Sequence, residues 1–205
     1  MKCYISCDKS ISCGKALKDL VTMPQIILVN KFTEESFKIF SDLFSLAHQS
    51  EQNVIPVVID SYGGELYSLN AMISLMKTSS VPVATVVEGK AMSCGCILSG
   101  MGTVGYRYCA PNAVIMMHDI FTFCIGKTEE IKADAKQRDL ESNKLFRSLA
   151  EHCGHKDKNY FLKLLDKKKH AEIYFTAQEA KKHKLIDRIG IPEFKIELKT
   201  NYIFK

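Results

Sequence analysis

The sequence predicts an α/β domain built on a largely parallel sheet, and three observations predict it. Apolar strand-like runs at Gln25–Val29, Val54–Asp60 and Val81–Val87 alternate with segments whose apolar residues recur at helical spacing. The runs are closed by small, polar or turn-forming residues before the next helix begins. Strands that alternate with helices need crossover connections, and crossovers set neighbouring strands parallel. At 205 residues the chain is long enough to bury the core of one domain. Its balance of 46% hydrophobic to 25% charged residues is that of a globular protein.

Residues 1–22 have no clear period. After the first strand, Thr33 caps a helix whose apolar face is Phe37, Phe40, Leu43, Phe44 and Ala47. The second strand carries Pro56 near its start, where a missing N–H is tolerated. Ser61-Tyr62-Gly63-Gly64 then turns the chain into a helix with Leu66, Leu69, Met72, Ile73 and Met76 on one face. The third strand leads through Ala91-Met92-Ser93-Cys94-Gly95 into a short apolar helix. Tyr106–Ala110 and Ala113–His118 read as short strands around a Pro111-Asn112 turn. From Thr128 to about Cys153 a long, charged helix has Glu129 and Glu130 in its first turn and Gly154 past its end. At about 1.5 Å per residue it approaches 40 Å in length, so it either packs on a partner subunit or lies across its own domain. A lysine-rich loop follows, and Thr176 caps a last short helix that ends near Leu185-Ile186-Asp187.

Several classes are set aside. No apolar run is long enough to cross a bilayer. The stretch Met1–Lys9 has an acidic residue and no apolar core, so it does not read as a signal peptide. Eight irregularly placed cysteines without an export signal point to reduced thiols and a cytoplasmic protein. Cys94-x-Cys96 and His152-Cys153-x-His155 lack the usual two-residue gap between paired ligands, so no metal is expected. The net charge of +5 gathers in lysines such as Lys156, Lys167, Lys168, Lys169, Lys181 and Lys182. No aromatic residues alternate with them as stacking platforms, so they read as solvated faces and not as a nucleic-acid surface.

Ser93 sits at a strand-to-helix turn, where free N–H groups favour developing negative charge. A serine in such a turn also serves simply as a cap. A serine hydroxyl needs a base to take its proton, and the base needs a third group to hold its tautomer. Of six histidines, His118 stands out because it ends an apolar strand, and the carboxyl ends of strands are where α/β proteins place ligands. The other five, His48, His152, His155, His170 and His183, lie in helices or lysine-rich loops and read as solvated. Gly63-Gly64 either lets backbone N–H groups approach an oxyanion or makes a tight turn.

The order of these motifs resembles the proteolytic subunit of the Clp protease, ClpP. It runs from Ser61-Tyr62-Gly63-Gly64 through Ala91-Met92-Ser93-Cys94-Gly95 and Pro111–His118 to Phe175–Ala180 and Leu185-Ile186-Asp187. The resemblance covers about residues 25–189. It implies a layered ClpP/crotonase-like fold of repeated β-β-α units, with the helix at about 128–153 as a projecting handle. Residues 1–24 become a divergent N-terminal segment, 25–190 the protease domain and 191–205 a C-terminal tail. It implies Ser93 as nucleophile, His118 as general base, and Gly64 and Cys94 as donors of the oxyanion hole. It further implies homo-oligomeric heptameric rings stacked as a tetradecamer, unfolded polypeptide as substrate, and an AAA+ unfoldase partner. No cofactor is implied in this chain, ATP being used only by that unfoldase, and neither nucleic acid nor membrane is an expected partner.

The sequence departs from the family at defined places. Glu172 occupies the position of the usual third-member aspartate, with Asp166 in reserve. Tyr62 replaces a proline, predicting a less rigid loop. Asp119 stands where glutamine is usual, predicting an effect on the charge of His118. Gly126 is the one glycine between Asp119 and Lys127, in a segment that is glycine-rich in the family. The function expected is a serine endopeptidase. The alternatives are a non-catalytic ring subunit and an acyl-CoA hydratase or isomerase of the crotonase type.

Overall fold

The alternation of apolar runs becomes a single twisted sheet in the computed structural model, which describes residues 24–121 and 124–195. In chain order the elements are β1 (Ile27–Val29), α1 (Glu34–Gln49), β2 (Ile55–Ser61), α2 (Leu66–Lys77), β3 (Val83–Met92), α3 (Cys94–Gly100), β4 (Arg107–Cys109) and β5 (Val114–Met117). They continue with α4 (Thr128–His152), α5 (Tyr160–Lys167), β6 (Ile173–Phe175), α6 (Ala177–Lys182) and β7 (Arg188–Ile189). The strands run β1-β2-β3-β4-β7, all parallel, and β5 pairs parallel with the far end of β3. Among the described residues, only β5 and β6 pair antiparallel. The predominantly parallel α/β layering read from the sequence is therefore observed. No helix among the described residues is long and apolar enough to cross a membrane.

Local chemistry accounts for the helix starts. Thr33 Oγ1 accepts from the Ser36 N–H at 3.1 Å, and Ser36 Oγ accepts from the Thr33 N–H at 2.8 Å, a reciprocal cap on α1. Thr176 and Glu179 do the same for α6. The predicted faces are the buried ones: Phe40, Phe44 and Ala47 on α1, and Leu69, Met72, Ile73 and Met76 on α2.

The strand β3 is longer than its apolar run. Val83–Val87 pairs with β2, and Thr85–Val87 also pairs with β4. Past the polar residues Glu88 and Gly89, Lys90–Met92 pairs with β5. Asp60 sits against this break, accepting from both the backbone N–H and the Nζ of Lys90. The helix α5 and the strands β6 and β7 form within or beside the lysine-rich segment and the last helix end, where the sequence predicts a loop. Phe161 and Leu165 bury α5 against the core while lysines cover its outer face.

Arg107 and Asp187 tie the β4–β7 edge to the core. Arg107 Nη2 and Nε donate to Asp187 Oδ1 and Oδ2 at 2.6 and 2.9 Å. The N–H groups of Gly105 and Arg107 donate to Oδ2 as well. Burial alone would raise the Asp187 carboxyl, but the hydrogen bonds and charge of Arg107 hold it below the usual carboxylate range.

The long helix α4 spans 25 residues, and among them Phe146, Leu149 and Ala150 are buried. Its first three turns stand exposed. It thus projects from the domain and does not lie across it.

Candidate active site

The end of β3 delivers Ser93 to its turn under backbone strain. Ser93 has φ 55° and ψ −118°, a conformation that costs a side-chain-bearing residue energy unless its surroundings enforce it. The surroundings do so on two sides. Met92 pairs with Met116 across the β3–β5 ladder, and the Ser93 N–H donates to Met116 O at 2.8 Å. On the other side lies Gly63, whose φ of +110° suits glycine alone. A Cβ there would stand 2.7 Å from Ser93 Cβ and 3.2 Å from Ser93 Oγ.

Gly64 belongs to the same loop, packed so closely on Phe32 that a Cβ would meet the Phe32 carbonyl oxygen at 2.4 Å. The amides around it are committed. Gly63 N–H donates to Ser61 Oγ at 3.0 Å, and Glu65 N–H donates to Phe32 O at 2.8 Å. Among the described residues, the Gly64 N–H enters no such bond. Cys94 opens α3, so its N–H has no partner within the helix. Its thiol donates to Gly64 O at 3.2 Å, joining the two loops. Burial pushes that thiol up to about 11, which keeps it neutral and takes it out of competition as a nucleophile.

Tyr62 is exposed, but it is not unsupported. Lys90 Nζ lies 4.5 Å from its ring centroid while bonded to Asp60 at 3.0 Å. A cation–π contact therefore steadies the loop where the sequence lacks proline.

Gly64, Ser93, Cys94 and His118 all line one cavity of about 410 Å³. His118 follows directly on β5, half-buried. Ser93 and His118 border the same space and share no hydrogen bond in this structure. The walls between and beyond them include Ile97, Met117, Leu145 and Phe146, the last two from the root of α4.

Glu172 does not line this cavity. It is exposed, and its Oε2 accepts from the Tyr174 hydroxyl at 2.7 Å. Its backbone is nonetheless well placed. The β5–β6 ladder pairs Met116 with Tyr174 and Met117 with Ile173, so the next step in register sets Glu172 opposite His118. Asp166, the reserve, is also exposed and lies 3.7 Å from His170 Nε2. Asp119, the neighbour of His118, has its carboxylate bonded to His170 Nδ1.

Four of the five histidines expected to be solvated are packed, His48 among them, its Nδ1 lying 2.9 Å from Phe44 O and its ring edge-on to Phe44. His152 Nε2 lies 2.7 Å from Gly102 O, His155 stacks on Tyr160 at 3.7 Å, and His183 Nδ1 lies 2.8 Å from Tyr160 Oη. Among the described residues, no group of three or more His, Cys, Asp or Glu side chains is placed to hold a metal ion.

Sequence reasoning passed over Tyr67, Arg138 and Glu141, which also stand at the cavity's edge or just behind it. Their signal was available in part: a charged helix that lends apolar residues to the core near its C-terminal half lends its preceding turns to whatever the core borders.

A family model described as Clp protease matches residues 8–193. Among curated proteins, the chain is 28% identical over 167 residues to the ATP-dependent Clp protease proteolytic subunit 3 of Streptomyces coelicolor, covering 80% of this chain and 75% of that one. It is 27% identical over 167 residues, with the same coverage, to proteolytic subunit 1 of Streptomyces avermitilis. It is 30% identical over 150 residues to subunit 1 of Rhodopirellula baltica, covering 73% of this chain and 64% of that one.

Proposed function

This chain belongs to the Clp protease family and is a serine-type peptidase of it; from that premise we propose that Ser93 is its nucleophile and His118 its general base. The observation that carries the assignment is the shared cavity: Ser93, held in a strained turn, faces the same space as His118, Gly64 and Cys94. Ser93 Oγ attacks the peptide carbonyl as His118 takes its proton. His118 then returns a proton to the leaving amine, and water repeats the sequence on the acyl-enzyme. The N–H groups of Gly64 and Cys94 supply the donors for the oxyanion. Hydrogen bonds of this kind tighten in the substrate complex, so an open serine–histidine pair is compatible with the role.

Glu172 is the third member in this reading. What supports it is the β5–β6 ladder, which ends one residue short of both His118 and Glu172; in this reading the exposed carboxylate leaves the Tyr174 hydroxyl to meet the imidazole. It orients the imidazole and stabilises the imidazolium without itself taking a proton.

Family membership implies an oligomeric assembly. The finer form we propose is a homo-oligomer of two stacked heptameric rings, joined through the projecting α4, that encloses the site and admits unfolded polypeptide delivered by an AAA+ unfoldase. ATP belongs to that partner. The compartment proposed is the cytoplasm, whose reducing conditions keep the free Cys94, Cys96, Cys109 and Cys153 as thiols. In this scheme residues 1–24, all but one outside the described residues, and 191–205 flank the protease domain.

Ser93→Ala and His118→Ala should each abolish peptide cleavage and labelling by a serine-reactive phosphonate. Cleavage that persists in purified Ser93→Ala protein overturns the assignment. A wild-type assembly that takes no label marks a ring subunit without activity.

A further inference from the structure

We propose that Arg138 selects substrates whose side chain just before the cleaved bond ends in an acceptor oxygen, as glutamine and glutamate do. The inference rests on Ser93 and His118 being the acyl-transfer pair. Arg138 lines the cavity beside them from the handle helix, among the apolar walls Ile97, Met117, Leu145 and Phe146. An apolar subsite that contains one guanidinium does not treat all side chains alike.

The partners of Arg138 decide what it has left to offer. Its Nη1 donates to Glu141 Oε2 at 2.9 Å. Glu141 is fully engaged: its Oε1 also accepts from the Tyr67 hydroxyl at 2.8 Å and from Gln137 Nε2 at 3.0 Å. Burial alone would raise its carboxyl, but the donors Gln137 and Tyr67 and the charge of Arg138 hold it below the usual range. Glu141 therefore stays an anion committed to its own cluster, and its side chain is only 12% exposed against 30% for Arg138.

A guanidinium carries several more N–H donors than the one used here. Tyr67 lies under it, ring centroid to guanidinium 5.7 Å, which limits its rotation. Two acids line this cavity with Arg138, and each carboxylate has another partner: Glu65 Oε2 accepts from Ser68 Oγ at 3.0 Å, and His170 holds Asp119.

Arg138 borders both this cavity and the adjoining groove, and in the proposed subsite its unused donors meet an incoming side chain that strips their water. A leucine there removes hydration and returns nothing, which penalises it. A lysine brings like charge. Glutamine or glutamate lays its methylenes along Leu145 and Phe146 and gives its terminal oxygen to the guanidinium.

Fluorogenic peptides identical but for Gln, Glu, Leu or Lys at that position test the assignment in the wild-type assembly, Arg138→Leu and Arg138→Gln, with phosphonate labelling in parallel. Wild type should cleave the Gln or Glu peptide with kcat/KM roughly tenfold or more above the Leu and Lys peptides. Glu above Gln marks charge pairing and Gln above Glu marks hydrogen bonding alone; either supports the role. Arg138→Leu should shift the preference to Leu, and Arg138→Gln should keep Gln while losing Glu. A wild-type preference for Leu or Lys, or a Gln-to-Leu ratio unmoved in both variants, overturns the subsite while labelled enzyme leaves the peptidase assignment standing. A wild-type protein that is never labelled overturns both.

Discussion

Replacing Gly63 by alanine tests whether the loop ahead of α2 sets the position of Ser93, the proposed nucleophile. The added Cβ would lie 2.7 Å from Ser93 Cβ and 3.1 Å from Met92 O, where ordinary contact begins near 3.4 Å. Relieving the closer contact separates the loop from Ser93 by about 0.7 Å, on a scale where a misplacement of about 1 Å costs on the order of hundredfold in rate. Alanine must also enter a φ of +110°, at a cost of about 1–3 kcal/mol. Gly63→Ala should therefore lose roughly ten- to hundredfold in kcat/KM and in the rate of phosphonate labelling. Gly95→Ala is the control. It lies two residues beyond Ser93, but its Cβ would meet Ser61 O at 3.5 Å and Ile59 Cγ2 at 3.6 Å, both ordinary contacts. It should keep activity within about threefold. Measuring both variants well below their urea midpoints removes unfolding from the comparison. A Gly63→Ala enzyme that labels and cleaves as fast as Gly95→Ala refutes the reasoning.

Two further outcomes follow from named contacts. Glu172→Ala should lower kcat by a factor on the order of 10³ or more with little change in KM, because only the transition state carries the imidazolium it stabilises; a loss confined to Asp166→Ala instead would transfer the role to the reserve. Asp187→Ala strands Arg107, whose side chain is 2% exposed, and should cost about 3–5 kcal/mol, read as a fall of roughly 1–2 M in the urea midpoint. The pair Arg107→Met with Asp187→Leu should recover most of that loss. The folded-state pKa of Asp187 lies below its unfolded value of about 3.9, so the carboxylate stabilises fully above that pH and progressively less as pH falls through the folded value. Urea melts between pH 7 and 3 should show the gap between wild type and Asp187→Ala closing in acid.

What the sequence made legible was whatever rests on local period or order. The faces of α1 and α2 follow from apolar spacing, and the cap at Thr33 from two residues three apart. Ser93 stands out at a small-residue turn between a strand and an apolar helix, and His118 because it ends an apolar run. By contrast, β6 and β7 span three and two residues and carry no period to detect. The helix α5 has two buried positions in a background of lysines, which masks its apolar face. The polar break at Glu88–Gly89 looked like the end of β3, because the bond from Lys90 to Asp60 that carries the strand across it joins residues 30 apart. The motif Leu185-Ile186-Asp187 is visible as a pattern, but its reason is a half-buried carboxylate answering the buried Arg107 from 80 residues away.

The third acid shows most sharply where a pattern stops and physics must take over. The β5–β6 ladder ends at Met117 and Ile173, so His118 and Glu172 are the next residues on the two strands whatever the side chain. The Glu172 carboxylate then chooses between two partners on the same face of the strand, the Tyr174 hydroxyl two residues along and the imidazole across the ladder. Tyr174 is 55% exposed, and a hydrogen bond in that setting contributes about 1 kcal/mol. A protonated imidazole in a cavity closed by substrate offers a full charge in place of a dipole, a stronger claim on an anion. The balance between the two therefore turns on whether His118 holds a proton, which in the proposed mechanism is the state that attack by Ser93 would create. A glutamate, with one methylene more than aspartate, can serve Tyr174 at rest and His118 during the reaction.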